Sequence, residues 1–302
     1  MNKVAKRTIT GLSVGAFVIG MFLYCPLMAL LPILVVLSIL LQLEFYQMVK
    51  KYEPVTWFGL LMGVGWTLLS EATPSSVGAL TCIGIGALAL MPAVFVLATL
   101  VTFSSRYTKP IASMGSTLLG FFYVPFLLSF FLRIVQLEPT VGSTFALAMP
   151  ETRTGLYTLL YLIAVAKFSD TGGFAFGLSF GKHKMCPSIS PNKSWEGLLG
   201  SMVFAVVTTC GFIAAAQQFD WAADFALWKY LSYPLAIPVG IAFALIATAG
   251  DLIESRLKRE CEVKDSATFM PAGMGGFLDM FDSFIFLPAL VYPVYLALRF
   301  CS

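Results

Sequence analysis

The chain has 302 residues, 58% of them hydrophobic and 12% charged, with a formal net charge of +3; an ordinary soluble domain carries about 25% charged residues. A mean hydropathy of +0.86 and long uncharged runs throughout exclude a soluble globular domain and imply a polytopic membrane protein. So small a net charge excludes a global basic field for nucleic acid, and six cysteines scattered without a CxxC pair indicate neither a disulfide framework nor zinc.

A helix crosses the hydrocarbon core in about 20 residues. Runs near that length lie at 8–24, 27–48, 55–73, 77–101, 111–132, 154–169, 198–217, 231–250 and 283–300. The first run follows a basic start, as in a signal peptide. Apolar character resumes at Leu27, no A-x-A site intervenes, and Tyr24 before Cys25 suits lipoprotein cleavage poorly, so a retained first helix is expected. The expected fold is all-α and polytopic, with about nine transmembrane helices in a single membrane-embedded domain over residues 1–302.

Lys and Arg in short loops set orientation, because positive charge is retained in the cytoplasm. An N-terminus inside assigns fourteen to that side (Lys3, Lys6, Arg7, Lys50, Lys51, Arg106, Lys109, Lys182, Lys184, Lys193, Arg256, Lys258, Arg259, Lys264) and four outside (Arg133, Arg153, Lys229, Arg299), with Lys167 inside a span. The bias predicts a cytoplasmic N-terminus and an external C-terminus. In a bacterium the membrane would be the inner one. The two polar segments at 170–197 and 251–282 then both face the cytoplasm.

The first of these reads SDTGGFAFGLSFGKHKMCPSISPNKSWEG from Ser169. Glycines at 172, 173, 177 and 181 would let backbone pass close to a ligand, and Lys182, Lys184 and Lys193 are cationic donors suited to phosphate. The bland alternative is a positive-inside loop with Pro187 and Pro191 as turn punctuation and Trp195 as an interfacial anchor. His183, the single histidine, reads as loop surface.

The second opens with GDLIESRLKRECEVKD at Gly250. Asp251 and Glu254 share a face if the eighth helix continues past the membrane, whereas Glu260 and Glu262 read as a solvated extension. Asp251 adjoins an apolar run and would be costly there without a partner. Asp279 and Asp282, spaced i, i+3, project together at the start of the ninth span. Paired carboxylates repel unless a cation sits beside them, and Mg²⁺ takes one or two carboxylates plus water and phosphate oxygens. AGMGG is no Walker A loop, though its glycines could set N–H groups against an anion. Acids favoured at a helix N-terminus are the plain alternative.

SRLKRECEVKDSATFMPAGMGGFLDMFDS, residues 255–283, resembles the signature of the phosphatidate cytidylyltransferases (CDP-diacylglycerol synthases): S-x-x-K-R, four residues, K-D, then P-x-H-G-G and D-R-x-D. Ser255, Lys258, Arg259, Lys264, Asp265, Pro271, Gly275, Gly276, Asp279 and Asp282 match it. The upstream segment resembles that family's other stretch through Asp170, Thr171, Gly172, Gly181, Lys182, Ser190, Pro191, Lys193, Trp195, Glu196 and Gly197. The resemblance is strong over the C-terminal half and rests on hydropathy alone before it. Met274 stands for the family's histidine, Met280 for its arginine, and one residue is inserted between Pro271 and Gly275, so roles of that His and Arg do not carry over.

The resemblance implies CTP + phosphatidate → CDP-diacylglycerol + pyrophosphate at a membrane interface, with CTP, phosphatidate and the bilayer as partners and a homodimer as a further expectation. It implies Mg²⁺ on Asp251, Asp279 and Asp282, with a second, monovalent cation carried alongside. Lys258, Arg259 and Lys264 would act on phosphates, and Asp265 would orient Lys264 or touch the ligand. Asp170, Lys182, Ser190, Lys193, Gly275 and Gly276 would complete the substrate site. Two competing readings stand beside it: another CTP-dependent membrane lipid kinase, which would release CDP, and an ion-coupled transporter. Charges gathered on one side, with no acidic relay at a span centre, speak against the transporter.

Overall fold

The computed structural model describes residues 27–72, 79–136, 154–218, 231–263, 266 and 276–301. In lipid a backbone must satisfy its own hydrogen bonds, so apolar runs become helices. In order these are α1 (Leu27–Met48), α2 (Thr56–Ala72), α3 (Ala79–Phe103), α4 (Pro110–Phe121), α5 (Leu127–Val135), α6 (Thr154–Phe180), α7 (Trp195–Gln218), α8 (Tyr233–Glu260), α9 (Phe277–Phe281) and α10 (Phe286–Cys301). Each expected run from 27–48 onward coincides with a helix; the run at 8–24 lies outside the described residues.

Among the described residues, six spans are long and apolar enough to cross a membrane. The chain is an all-α integral membrane protein. Large apolar side chains such as Phe95, Phe103, Ile111 and Leu178 are exposed on its outer surface, where hydrocarbon replaces water as the solvent. α4 and α5 make one span through a π-helical segment, Phe122–Phe126. Pro125 lies in that segment and has no N–H to donate, which accounts for the local widening of the helix.

One expected boundary moves, and it matters for the site. The sixth run was expected to end at 169, but α6 continues to Phe180, so Gly172, Gly173 and Gly177 of the supposed loop lie in helix. The glycines there serve helix packing. A Cβ on Gly172 would lie 2.6 Å from the Gly200 carbonyl, and one on Gly200 would lie 2.6 Å from the Gly172 carbonyl. α6 and α7 therefore meet backbone to backbone, as small-residue faces do in membranes. The reading of Gly172 and Gly173 as ligand cradles is corrected: their faces are filled by α7. After α6 comes a two-stranded antiparallel hairpin, β1 (Lys184–Cys186) and β2 (Ser190–Ser194), which the all-α expectation lacked. Pro187 falls in its turn, but Pro191 lies within β2; a two-stranded ribbon has only edge strands, so the missing N–H is tolerated.

The main apolar core joins α1, α5, α6 and α10 through Leu41, Phe45, Ile134, Leu159, Val165 and Leu287; a smaller one holds α2, α3 and α4. Polar anchors fix α1. Gln42 Nε2 donates to Tyr46 Oη at 3.0 Å and to the Gly59 carbonyl at 2.9 Å, and Tyr46 donates to the Thr117 carbonyl at 2.9 Å. Below α1, Tyr52 Oη donates to Glu260 Oε1 at 2.8 Å, tying the α1–α2 corner to the end of α8. Among the described residues Cys186, Cys210 and Cys261 are unpaired thiols.

Candidate functional site

The last turns of α8 form the floor of the site. Asp251, Glu254, Ser255 and Lys258 recur at three- and four-residue spacing and so share a face. Glu254 has no solvent exposure. Lys258 Nζ stands 3.0 Å from Glu254 Oε1 and 2.5 Å from Asp279 Oδ1. The contact to Glu254 is an ion pair without hydrogen-bond angle, and neither Glu254 oxygen has a hydrogen-bond partner among the described residues. Asp282 and Asp279 both lie within interaction range of it.

α9 brings the second pair of carboxylates. Asp279 closes a ring at the head of its helix: Oδ2 accepts from Gly276 N at 2.8 Å and Oδ1 from Ser266 Oγ at 2.7 Å. Glu44, from α1, reaches in with Oε2 to accept from Leu278 N at 2.9 Å. A Cβ on Gly276 would lie 2.1 Å from Ser266 Oγ and 2.9 Å from Glu44 Oε2, which explains the glycine sterically. Asp282 ends α9, accepting through Oδ1 from Ser283 N at 2.5 Å. Its carbonyl approaches α8 where Gly250 leaves room.

The hairpin and α6 close the other side. Lys193 Nζ, on β2, lies 2.8 Å from Asp251 Oδ2 and donates to the Thr248 carbonyl at 3.2 Å. Ser255 Oγ donates to Asp251 Oδ1 at 3.3 Å. Asp170 lies within electrostatic range of Asp251 and Asp282. Lys167, one turn earlier, pairs with Asp170 at 3.8 Å and donates to the Met280 carbonyl at 2.9 Å.

The structure thus brings together Asp170, Lys193, Asp251, Lys258, Asp279, Asp282 and Gly276. Arg259 instead donates through Nε to the Ile189 carbonyl in the hairpin turn, at 3.3 Å. Lys182 is exposed just past α6, and Ser190 opens β2 opposite Cys186. Lys264, Asp265 and Gly275 lie outside the described residues. His183 is exposed, with Nδ1 2.6 Å from Glu196 Oε1, in keeping with a surface role.

Sequence reasoning passed over Glu44, Ser266, Lys167 as a site residue, and Tyr123. The buried Tyr123 hydroxyl lies within electrostatic range of Glu254, Asp282 and Asp251. Glu44 and Lys167 did carry a signal, since a charge inside an apolar span is costly and marks function or a specific partner.

The donor set is one of hard carboxylate oxygens, which suits Mg²⁺ rather than a thiophilic metal. Among the described residues no group of three or more Asp, Glu, His or Cys is placed to hold an ion unaided. Mg²⁺ takes one or two carboxylates and completes its octahedron with water and phosphate oxygens.

The sequence pattern of the cytidylyltransferase family matches residues 5–298. The phosphatidate cytidylyltransferase of Staphylococcus saprophyticus is 37% identical over 142 residues, 47% of this chain and 50% of that protein. That of Staphylococcus haemolyticus is 36% identical over 151 residues, 50% and 54% of the two chains. A Mycobacterium bovis protein of the same name is 36% identical over 139 residues, 46% and 40% of the two chains. The chain spans about half the length of these curated relatives.

Proposed function

The chain belongs to the cytidylyltransferase family, and from that membership we propose that it makes CDP-diacylglycerol and pyrophosphate from CTP and phosphatidate. The observation that carries the reading is the ring of alternating charge at one end of the bundle: Lys258 between Glu254 and Asp279, with Lys193 on Asp251 beside it. Both substrates are anions, so the work of the site is to suppress repulsion and align the groups. A phosphatidate oxygen attacks the α-phosphorus of CTP; the bond from that phosphorus to the bridging oxygen breaks, and pyrophosphate leaves. The nucleophile is already ionised at neutral pH, so no general base is required.

Lys258 and Lys193 would turn their ammonium groups from carboxylates to phosphate oxygens as substrate enters. Mg²⁺ held by one or two of Asp251, Asp279 and Asp282, its shell completed by water and phosphate oxygens, would neutralise charge on the departing pyrophosphate. Glu44 and Ser266 would hold Asp279 in register. We place the site at the cytoplasmic interface, open to water for CTP and to lipid for phosphatidate. Purified protein with phosphatidate, labelled CTP and Mg²⁺ should yield lipid-soluble cytidine and pyrophosphate. Asp279→Asn keeps the shape and loses the charge, and should lower product formation by about 100-fold or more with insertion intact. Near-normal turnover in that variant, or release of CDP in place of pyrophosphate by the wild type, would refute the reading.

A further inference from the structure

Position 280 is where the motif carries an arginine and this chain a methionine. A cation nevertheless reaches that turn, from a different helix. Lys167 Nζ on α6 donates to the Met280 carbonyl at 2.9 Å and to Ser283 Oγ at 3.2 Å, and lies 5.0 Å from the centre of the Phe284 ring. Two of its three donors are thereby used.

Lys193 and Lys258 are held close to carboxylates, at 2.8 and 2.5 Å. Lys167 stands off from Asp170 at 3.8 Å with its side chain 44% exposed, so this ammonium keeps a donor and an open face. It belongs to the span Gly155–Phe180, where a lysine is expensive unless it faces a polar interior. Anchoring a turn would need only a neutral donor; the charge also faces Asp170 and Asp282, as Lys193 and Lys258 face their carboxylates, but at a longer distance that leaves room for an anion.

We propose that Lys167 supplies from α6 the cation that the motif places at position 280, and that this cation faces the phosphate groups of the substrates. The inference rests on the proposed reaction, and Lys167 is then a substrate-contacting residue.

The test uses full-length protein in detergent with phosphatidate, labelled CTP and Mg²⁺. Lys167→Gln keeps donors for Met280 and Ser283 but removes the charge, and should lower kcat/KM by about 100-fold, as loss of one preorganised donor does. Lys167→Arg should stay within about tenfold of wild type. Adding Met280→Arg to Lys167→Gln should recover at least about tenfold of the loss, a rescue that a purely structural lysine would not permit. Lys167→Gln within about threefold of wild type, or a double variant as poor as the single one, would overturn the proposal.

If Lys167→Gln misfolds, Lys167→Met with and without Met280→Arg gives the same comparison. An inactive wild type would refute the proposed reaction instead. Lys167 would then be judged by thermal unfolding with Mg²⁺ and inorganic pyrophosphate. A stabilising shift that vanishes in Lys167→Gln and returns in the double variant supports the cation, and equal shifts in all three overturn it.

Discussion

Glu44 lies 234 positions along the chain from the amide whose hydrogen bond it accepts, fully buried in a largely apolar helix. At this scale one acceptor fixes one N–H, and that N–H sits next to Asp279. Glu44→Leu leaves the Leu278 amide unpaired in the interior, which should destabilise the protein by about 1–3 kcal/mol. Glu44→Gln keeps an acceptor and should cost less. Thermal unfolding in detergent orders the variants; Glu44→Leu melting with the wild type would mean that α9 is held by other contacts. The same logic explains Gly276, whose hydrogen atom occupies the only space between Ser266 and Glu44. The sequence marked Gly276 through its motif, but its reason is the carboxylate from α1.

Between elements, the packing of α6 on α7 decides where Asp170, Lys167 and the hairpin stand. SDTGGFAFG is ambiguous as a string, because glycine admits a ligand and a neighbouring helix equally well. The neighbour wins here: Gly172 and Gly200 face each other at backbone distance. Gly172→Leu would drive a side chain into a carbonyl and the Phe204 ring. It should destabilise by about 1–3 kcal/mol through overpacking and lower activity by displacing Asp170. Gly211, on α7, has open space where its Cβ would be. Gly211→Ala should therefore be neutral or stabilise by up to about 1 kcal/mol. Equal melting of the Gly172 and Gly211 variants would contradict this account of the interface. The π-helical segment acts at the same scale, since the Phe122–Phe126 widening carries Tyr123 toward the carboxylates from behind.

For the molecule as a whole, loop charge bears on which face of the membrane the site occupies. Lysines and arginines in the loops predict the cytoplasmic face, and β2 offers a place to ask. Asn192 is exposed there; Asn192→Cys, with Cys186→Ser to silence the nearby thiol, should react with an impermeant maleimide only after the cytoplasmic face is opened. Labelling of intact cells from outside would invert the assignment. The membrane class, the course of the spans from α1 to α10 and the family were legible in the sequence, because apolar length and motif spacing are local properties of a string. Asp251, Lys258, Asp279 and Asp282 were legible as candidates for the same reason. The partners of those residues were not. Glu44 against Leu278, Lys167 against Met280 and Lys193 against Asp251 join positions far apart in the chain. Only the packing of helices in three dimensions, which sets distances that sequence separation leaves free, decided that they meet.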